Sequence, residues 1–302
     1  MGYDVRIRPM LCIQGNQPFD DQDYLFEPKW DGYRAIVYLS KGVSIQSRNL
    51  RDITAGFPEL WEMRKALVGS NAAVLDGEIV CMVNGRPSFH ALERRQVPAS
   101  YVAFDILFDG DKNLMTYPLL ERKQLLVSRV VESHGLAVNK YVEAQGRMLF
   151  DAACQLGFEG IVAKHKVSPY LPGKRSGWWI KIKRKVTLDC VIGGLTLDSQ
   201  GRLSSLALGA FVQGRLRYLG NVGSGLGREA QRQVLEKAKA APECRFDLEL
   251  SRVPERVLKN TVWIEPTLCC EVTFAEFTPQ GRLRQPVLSR LREDKSPEEC
   301  RV

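Results

Sequence analysis

Short runs in which hydrophobic and polar residues alternate dominate the first part of the chain, a pattern typical of strands in antiparallel sheets. The strands predicted in this way cover residues 24–39, 43–48, 74–80 and 101–108. Helical spacing predicts helices at residues 58–67, 118–133 and 145–156, and the last two show no visible chemistry. The pattern therefore predicts an α+β domain built around a sheet.

Beyond Lys185 the chain consists of short alternating runs separated by glycines, with one clear helix at residues 228–240. The strands predicted here cover residues 190–197, 203–212, 217–222, 262–264 and 268–274. About five short strands and a helix in roughly 115 residues are typical of an oligonucleotide-binding (OB) barrel. We therefore predict two domains, residues 1–186 and residues 187–302, in an α+β protein.

The charge of the whole chain favours a polyanionic partner. Among 302 residues, 43 Lys and Arg outnumber 35 Asp and Glu, which leaves a formal net charge of +8. Between Lys164 and Lys185 the chain has eight Lys or Arg residues and no Asp or Glu, with Tyr170, Trp178 and Trp179 among them. Such a run forms either a solvated surface or a groove along a phosphate backbone.

Composition also excludes several classes of protein. No run of about 18 apolar residues is present to span a bilayer, and the first residues lack the apolar core of a signal peptide. The eight cysteines form no C-x-x-C pair and only three histidines accompany them, which argues against a zinc site. We expect a cytoplasmic protein with reduced, buried thiols and no membrane partner.

The motif Lys-x-Asp-Gly-x-Arg at residues 29–34 lies at a predicted strand junction. These residue types form an ordinary polar turn, and they also suit a nucleophilic amine that attacks phosphorus and forms a phosphoramidate. A free lysine with a pKa of ~10.4 loses its proton at pH 7 at a cost of roughly 4.6 kcal/mol, so neighbouring cations are needed. Lys181 and Lys183 are candidates, because strand periodicity places both on one face.

Carboxylates interrupt two predicted strands. Asp76 and Glu78 share one face of the apolar strand at residues 74–80, where their burial costs free energy unless a cation or a ribose hydroxyl meets them. Glu159 and Lys164 flank a glycine-containing run further along the chain. The strand at residues 74–80 therefore predicts that a metal ion or a ribose hydroxyl meets Asp76 and Glu78.

In the same order along the chain, these motifs resemble those of the covalent nucleotidyltransferases, which comprise DNA ligases, RNA ligases and mRNA capping enzymes. The matching segments are residues 27–34, 47–49, 74–80, 159–164, 181–183 and 292–295. Residues 164–185 and 278–286 are similar to the ligase domain of bacterial ATP-dependent end-joining ligases. The resemblance implies an antiparallel-sheet nucleotidyltransferase domain followed by an OB-fold domain.

The function that the resemblance implies is an ATP-dependent DNA ligase that seals nicks or breaks in DNA repair. Lys29 would attack the α-phosphate of ATP and release pyrophosphate, the AMP would pass to a 5′-phosphate, and a 3′-hydroxyl would displace it. The implied cofactors are ATP, bound as covalent AMP, and Mg²⁺ or Mn²⁺. The implied partners are nicked or broken duplex DNA and end-joining repair proteins, and we expect a monomer that associates with the bacterial nucleoid.

The resemblance also assigns roles to individual residues. Glu27 would lie at the adenine edge and Phe104 on the adenine face, and Arg34 and Glu78 would contact the ribose. The full set comprises, for catalysis, Lys29, Lys181, Lys183, Arg292, Asp294 and Lys295; for the nucleotide, Glu27, Lys29, Arg34, Arg48, Glu78, Phe104, Lys164, Lys181 and Lys183; for the metal, Glu78 and Glu159; and for DNA, Arg48, Lys174, Arg175 and Arg290.

Other assignments stay open on the sequence. RNA ligases and GTP-dependent capping enzymes have nearly the same motifs. An NAD-dependent ligase would need an extra N-terminal module and a cysteine zinc finger, yet few residues precede Lys29. A basic barrel protein without catalysis would bind DNA but form no adenylate. No counterpart of the end-joining polymerase and nuclease modules is visible, so the chain is either a stand-alone enzyme or a domain of a larger protein.

Overall fold

The structure, a computed structural model, describes residues 6–69, 72–184 and 186–302. The chain divides into two compact units, Met1–Arg184 and Lys185–Val302. This division falls slightly before the one drawn from the sequence, because Val186 begins a strand of the second unit. Each unit is described below by itself.

The first unit is built mainly from strands. The strands are β1 (Leu11–Gln14), β2 (Asp21–Lys29), β3 (Tyr33–Leu39), β4 (Val43–Ser47), β5 (Ala73–Val80), β6 (Met82–Val83), β7 (Arg86–Pro87), β8 (Ser100–Asp109), β9 (Lys112–Asn113), β10 (Leu136–Val138), β11 (Val142–Ala144), β12 (Gly160–His165) and β13 (Arg175–Lys183). The α-helices are α1 (Phe89–Glu93), α2 (Leu119–Arg129) and α3 (Gly146–Gln155).

These strands form two larger sheets and one hairpin. The first sheet has the order β1, β13, β12, β2, β11, in which β1 and β13 run parallel and the other neighbours antiparallel. The second sheet has the order β10, β8, β5, β3, β4, in which β10 runs parallel to β8 and the other neighbours antiparallel. β9 pairs with β8, and β6 with β7. The apolar runs of the sequence thus become the central strands β5 and β8.

Apolar side chains pack between the two sheets and on their outer faces. Between the sheets, Leu25 and Trp179 of the first sheet form one cluster with Ile36 and Phe104 of the second. Leu126 of α2 belongs to a cluster on the outer face of the second sheet, and α3 contributes to a cluster on the outer face of the first. Each sheet is therefore covered on both faces.

The prediction of a helix at residues 58–67 is wrong. This segment forms two short 3₁₀ turns, Pro58–Leu60 and Met63–Ala66. Its buried residues, Phe57, Leu60, Met63 and Ala66, recur every three residues. That spacing matches the 3.0 residues per turn of a 3₁₀ helix and not the 3.6 of an α-helix.

The second unit is a five-stranded barrel with short helices, in which neighbouring strands of the sheet run antiparallel and a parallel bridge closes the barrel. Its elements are β14 (Val186–Leu197), β15 (Leu203–Val212), β16 (Arg215–Val222), α4 (Arg228–Lys237), α5 (Leu248–Ser251), α6 (Glu255–Asn260), β17 (Thr261–Phe274) and β18 (Val287–Leu291). The strand order is β16, β15, β14, β17, β18, and a bridge between Ser224 and Val287 joins the two ends.

The strands predicted at residues 262–264 and 268–274 form one long strand, β17. β17 continues through Pro266, where its register against β14 shifts and residues 264–267 have no partner in β14. A proline is tolerated there because no ladder hydrogen bond needs its missing N–H. In the described part of the chain, no helix is long and apolar enough to cross a membrane.

A buried ion pair links the second sheet to α2 and provides a test of the fold. Arg122 donates to both Asp105 carboxylate oxygens, at 2.8 and 2.9 Å, and both side chains are fully buried. Arg122→Met leaves that carboxylate buried without a cation, so we expect a loss of about 3–5 kcal/mol in the free energy of unfolding, measured by urea titration. Lys65→Met, in an exposed pair with Glu62, should cost less than about 1 kcal/mol. Equal losses would contradict the prediction.

Candidate active site

The register of three adjacent strands brings distant residues into rows on one face. Lys29 at the end of β2 pairs with Gly160 of β12, and Gly160 pairs with Lys183 of β13. Glu27 of β2 and Lys181 of β13 lie in a second row, two residues before Lys29 and Lys183 on the same strands. Because side chains alternate along a strand, Glu27, Lys29, Lys181 and Lys183 share one face. The sequence prediction that Lys181 and Lys183 share a face agrees with this register.

Two glycines allow the backbones around Lys29 to approach closely. Gly160 has a φ of +142°, and a Cβ there would lie 2.1 Å from the Ile182 carbonyl oxygen. A Cβ on Gly32 would lie 2.1 Å from the Ile79 carbonyl oxygen. No side chain fits at either position without backbone movement, which explains why both motifs contain glycine.

Glu159 bridges two of the lysines. Lys29 Nζ donates to Glu159 Oε2, and Lys183 Nζ forms an ion pair with Glu159 Oε1. Burial raises the pKa of Glu159, but Lys29 and Lys183 more than offset this, so the pKa lies below its ordinary value. The ionised carboxylate therefore holds the two amines side by side.

The third lysine of this face, Lys181, forms no ion pair with a carboxylate of the described residues. Burial lowers the pKa of Lys181, and the positive charges of Lys183 and Lys29 lower it further. The three ammonium groups thus repel one another, and Glu159 pairs with only two of them, Lys29 and Lys183. This arrangement leaves a positive face that suits phosphate groups.

A cavity opens beside Lys29, and six of the predicted site residues line it. The lining residues are Cys12, Glu27, Pro28, Lys29, Trp30, Arg34, Glu78, Phe104, Asn139, Val162, Lys164 and Trp179. Phe104 and Trp179 belong to the apolar cluster between the two sheets. The cavity is therefore a pocket at the margin of that core, with charged groups on the same walls.

The two carboxylates of β5 have different surroundings. Asp76 is fully buried and accepts two hydrogen bonds of 2.6 Å from Arg34 and one of 2.6 Å from Tyr170. Glu78 lines the cavity and has no hydrogen bond or ion pair with the described residues. Burial raises the pKa of Glu78 to about 7, although Arg34 and Lys29 partly offset the effect. Glu78 is thus a carboxylate that has no ion-pair partner among the described residues, although Arg34 and Lys29 lie near enough to affect its pKa.

The aromatic ring of Phe104 is flanked by cations. The Arg34 guanidinium carbon lies 4.4 Å from the ring centroid, and the Lys164 ammonium lies 4.3 Å from it. Lys164 also lies 4.4 Å from the Trp179 ring and forms a 2.9 Å ion pair with Glu27. Four of the predicted nucleotide-binding residues are therefore connected by contacts, which run from Arg34 through Phe104 and Lys164 to Glu27.

Three predicted DNA-binding residues of the first unit lie outside the cavity lining, as do Glu159, Lys181 and Lys183. Arg48 is exposed after β4, and its backbone N–H donates to the Arg34 carbonyl oxygen at 3.1 Å. Lys174 and Arg175 are also exposed. Arg175 begins β13, and its side chain donates to the Cys12 carbonyl oxygen.

The predicted C-terminal motif forms an ion-pair cluster within the second unit. Arg292 donates to both Asp294 carboxylate oxygens at 2.8 Å and to Asp189 at 2.8 Å. Lys295 forms a 2.8 Å ion pair with the same Asp189. Arg290 is exposed and donates to Glu271 at 3.2 Å, and the same Glu271 oxygen lies 3.6 Å from Arg292. Asp189, which sequence reasoning missed, thus connects both cations of the motif.

Sequence reasoning also missed the polar groups of α2. The sequence showed no visible chemistry in this helix, and the structure adds that its buried side includes three cations. The buried residues are Leu119, Arg122, Lys123, Leu126 and Arg129. Their spacing is the apolar stripe of an amphipathic helix. Charged residues at positions of this apolar stripe were the sequence signal that could have revealed the buried cations.

Two family matches identify the class of protein. Residues 9–183 match the ATP dependent DNA ligase domain, and residues 199–295 match the ATP dependent DNA ligase C terminal region. The chain therefore belongs to the ATP-dependent DNA ligase family. The resemblance and the fold class predicted from the sequence, a nucleotidyltransferase domain followed by an OB-fold domain, are confirmed.

Individual relatives agree with this family. The chain is 35% identical to the multifunctional non-homologous end joining DNA repair protein LigD of Mycobacterium tuberculosis, over 97% of this chain and 39% of LigD. It is 30% identical to DNA ligase C1 of Mycolicibacterium smegmatis, over 97% of this chain and 92% of that protein. The structure of mycobacterial DNA ligase D complexed with ATP and MES matches with a TM-score of 0.58 and 32% identity, over 97% of each chain. The chain thus spans well under half the length of LigD.

Glu78 gives the protein a predicted pH dependence of stability. Its pKa is about 7 in the folded protein against an ordinary 4.5, so the folded state binds more protons between these values. The free energy of unfolding therefore falls as pH rises through that window. Glu78→Gln removes the ionisable group, and we expect it to stabilise the metal-free protein by on the order of 2–3 kcal/mol at pH 8 and less than about 1 kcal/mol at pH 5.

Urea titrations at both pH values measure this difference. The exposed Glu93→Gln is the control, and it should change stability equally at pH 5 and pH 8. An effect of Glu78→Gln that is the same at the two pH values would show that burial does not hold the proton on this carboxyl group.

Proposed function

We propose that this chain is an ATP-dependent DNA ligase that seals 5′-phosphate/3′-hydroxyl nicks or breaks through a covalent AMP on Lys29. The observation that carries the proposal is the Lys29 amine at the wall of a cavity, held by Glu159 beside Lys183. The names of its relatives, a DNA ligase and an end joining DNA repair protein, support the same activity.

The first step forms a bond between Lys29 Nζ and the α-phosphorus of ATP. The bond from that phosphorus to the bridging oxygen breaks, pyrophosphate leaves, and the amine loses its proton. Lys181 and Lys183 would neutralise charge on the α-phosphate, since both lie on the Lys29 face. Because the pKa of Glu159 is lowered, this carboxylate serves to position the amine and is a poor base.

The nucleoside would occupy the cavity that Lys29 borders. Phe104 would stack on the adenine face and Glu27 would accept a hydrogen bond at its edge, as both line this cavity. Arg34 and Glu78 would meet the ribose, and Lys164 would support the base side of the site. The AMP then passes to a 5′-phosphate, and a 3′-hydroxyl displaces it in the sealing step.

A divalent metal fits this site. Glu78 is a carboxylate without a partner among the described residues, and a cation would offset the burial that raises its pKa. The described residues contain no group of three or more metal-binding side chains, so ATP oxygens and water would supply further ligands, as is usual for Mg²⁺. Glu159 would be the second protein ligand. Mg²⁺ or Mn²⁺ would neutralise charge on the phosphates.

The remaining residues would act on pyrophosphate and on DNA. Arg292, Asp294 and Lys295 would orient the leaving pyrophosphate. The residues proposed to contact duplex DNA are Arg48, Lys174, Arg175 and Arg290, all exposed. We further propose a monomer that acts with end-joining repair proteins on chromosomal DNA in the bacterial cytoplasm. The family match disfavours the capping and NAD-dependent assignments.

The covalent step can be tested at Lys29. We expect Lys29→Ala and Lys29→Arg both to abolish the mass increase of one AMP after incubation with ATP and Mg²⁺. Alanine lacks the amine, and a guanidinium does not lose its proton near neutral pH. The control Lys140→Ala changes an exposed lysine and should leave labelling intact. AMP on Lys29→Ala would refute the assignment, and a wild-type protein that binds DNA without labelling would favour a non-catalytic role.

DNA contact can be tested at Lys174 and Arg175, which are exposed and outside the cavity lining. Lys174→Gln/Arg175→Gln should leave adenylation unchanged and weaken nick binding. Each lost phosphate contact flattens the dependence of log affinity on log salt by roughly 0.9, so the double variant should lose about twice that. Binding titrations at several salt concentrations measure the slope. An unchanged slope would mean that both residues are solvated surface.

A further inference from the structure

A buried tyrosine in the connection between β12 and β13 contacts the second sheet. Tyr170 is almost fully buried, and its hydroxyl group donates a 2.6 Å hydrogen bond to Asp76 Oδ2 in β5. The same hydroxyl oxygen accepts a 3.0 Å hydrogen bond from the Met10 backbone N–H. Burial raises the pKa of Tyr170, so the hydroxyl group keeps its proton near neutral pH. Tyr170 is therefore a fixed donor to Asp76.

Asp76 in turn occupies two of the three nitrogen atoms in the Arg34 guanidinium group. Arg34 Nε donates to Asp76 Oδ1 and Nη2 donates to Oδ2, both at 2.6 Å. Nη2 also donates to the Met10 carbonyl oxygen at 3.3 Å. A bidentate pair of this kind fixes the orientation of the guanidinium plane as well as its distance. The side chains of Tyr170, Asp76 and Arg34 thus form one continuous hydrogen-bonded row.

Nη1 is the nitrogen atom of Arg34 that this row leaves for a ligand. It has no hydrogen-bond partner among the described residues, and it is not a buried atom. Arg34 lines the cavity, and its side chain is 19% exposed. The guanidinium carbon lies over the ring of Phe104, another residue of the cavity lining, at 4.4 Å from the ring centroid. Nη1 therefore offers N–H donors to a molecule in the cavity.

Tyr170 matters to this row because a carboxylate group turns easily about its last bond. That torsion is broad, so the hydrogen bond from Tyr170 selects one orientation of Asp76. Among the described residues, Arg34 and Tyr170 supply all the side-chain donors to this carboxylate. Rotation of Asp76 would carry the paired guanidinium group with it, and hydrogen bonds weaken steeply as their angle departs from linear. Loss of the Tyr170 hydroxyl therefore weakens a contact at the far end of the row.

We propose that Tyr170 is a positioning residue for the ribose of the bound nucleotide: through Asp76 it fixes Arg34 so that Nη1 donates to a ribose hydroxyl group. The inference rests on the placement of Arg34 at the ribose under the proposed function. Tyr170 itself would not touch the nucleotide, since it lies outside the cavity lining. A donor held in this way favours a sugar that has the hydroxyl group over a sugar that lacks it.

The test compares ATP with 2′-deoxy-ATP and 3′-deoxy-ATP, each of which lacks one ribose hydroxyl group. The full chain and its variants are incubated with Mg²⁺ and a range of concentrations of each nucleotide. Mass spectrometry of the nucleotide attached to the protein gives the maximal rate and the KM. For one of the two analogues the wild-type KM should exceed the KM for ATP by on the order of tenfold, because Nη1 then lacks its partner.

Tyr170→Phe removes only the hydroxyl group. We expect the KM for ATP to rise about fivefold with little change in the maximal rate, since the ribose contact is the same before and during the reaction. The KM for the disfavoured analogue should stay within about twofold of the wild-type value, because that analogue lacks the contact. Tyr218→Phe is the matched control: it removes a buried hydroxyl group, bonded to Asn221 in the second unit, and should leave both KM values unchanged.

Arg34→Lys tests whether Tyr170 acts through Arg34. Lysine keeps a cation for the buried Asp76 carboxylate but has no counterpart of Nη1, so the preference for ATP should be lost. Tyr170→Phe added to Arg34→Lys should then change the ratio of the two KM values no further, whereas independent effects would add. An additive change would overturn the inference.

Other results would also overturn it. One is an equal rise in KM for ATP and for the disfavoured analogue in Tyr170→Phe, since Tyr170 would then only support the fold. Others are a Tyr170→Phe protein with the wild-type KM for ATP, and a wild type that accepts ATP and both analogues equally well. None of these results affects the proposed function, which fails separately if the wild type attaches no nucleotide at all.

A second variant covers the case in which Tyr170→Phe does not fold, as judged by urea titration. Asp76→Asn keeps the shape of the side chain but has a single acceptor oxygen, so it cannot accept from Tyr170 and from both Arg34 nitrogen atoms as the carboxylate does. We expect the same rise in KM for ATP alone. A wild-type ratio of the KM values in this variant would overturn the inference.

Discussion

The register of β2, β12 and β13 is the constraint on which the rest of the site depends. The hydrogen-bond ladder holds adjacent strands about 4.8 Å apart, so β2 and β13, which flank β12, keep Lys29 and Lys183 about two strand spacings apart although their ammonium groups repel. Glu159 offsets part of that repulsion and leaves the face positive. A slip of one residue in either strand would turn these side chains to the opposite face. The core between the sheets, which includes Trp179, thus fixes the geometry of a charged site.

The carboxylates of this unit show how the same residue type serves stability or chemistry. Asp76 binds Arg34 and Tyr170 and ties the second sheet together, whereas Glu78, two residues along, has no cation among the described residues. The raised pKa of Glu78 reflects a burial cost that neighbouring residues offset only in part. Local rules are broken mainly at functional positions, where a ligand supplies the missing partner. Glu78 is therefore explained better by the ligand role proposed for it than by a contribution to the fold.

Strand periodicity predicted the common face of Lys181 and Lys183, because the alternation of side chains is a property of one strand alone. It could not predict that Gly160 lies between Lys29 and Lys183, since pairing between strands far apart in sequence depends on the whole sheet. The 3₁₀ turns at residues 58–66 were missed because a period of 3.0 resembles one of 3.6 over so few residues. Lys123 was missed because its partner, Glu27, lies 96 positions earlier in the chain.

The ion pairs of the second unit bear on how its motif could act on phosphate. Arg292 and Lys295 are already paired with Asp189 and Asp294, so contact with pyrophosphate requires these pairs to be exchanged. The pairs with Asp189 are partly buried, and phosphate offers a denser charge and more acceptor oxygens than the carboxylates that it would replace. Until the exchange occurs, Asp189 holds both cations at one place on the barrel, which reduces the conformational freedom that binding would otherwise remove.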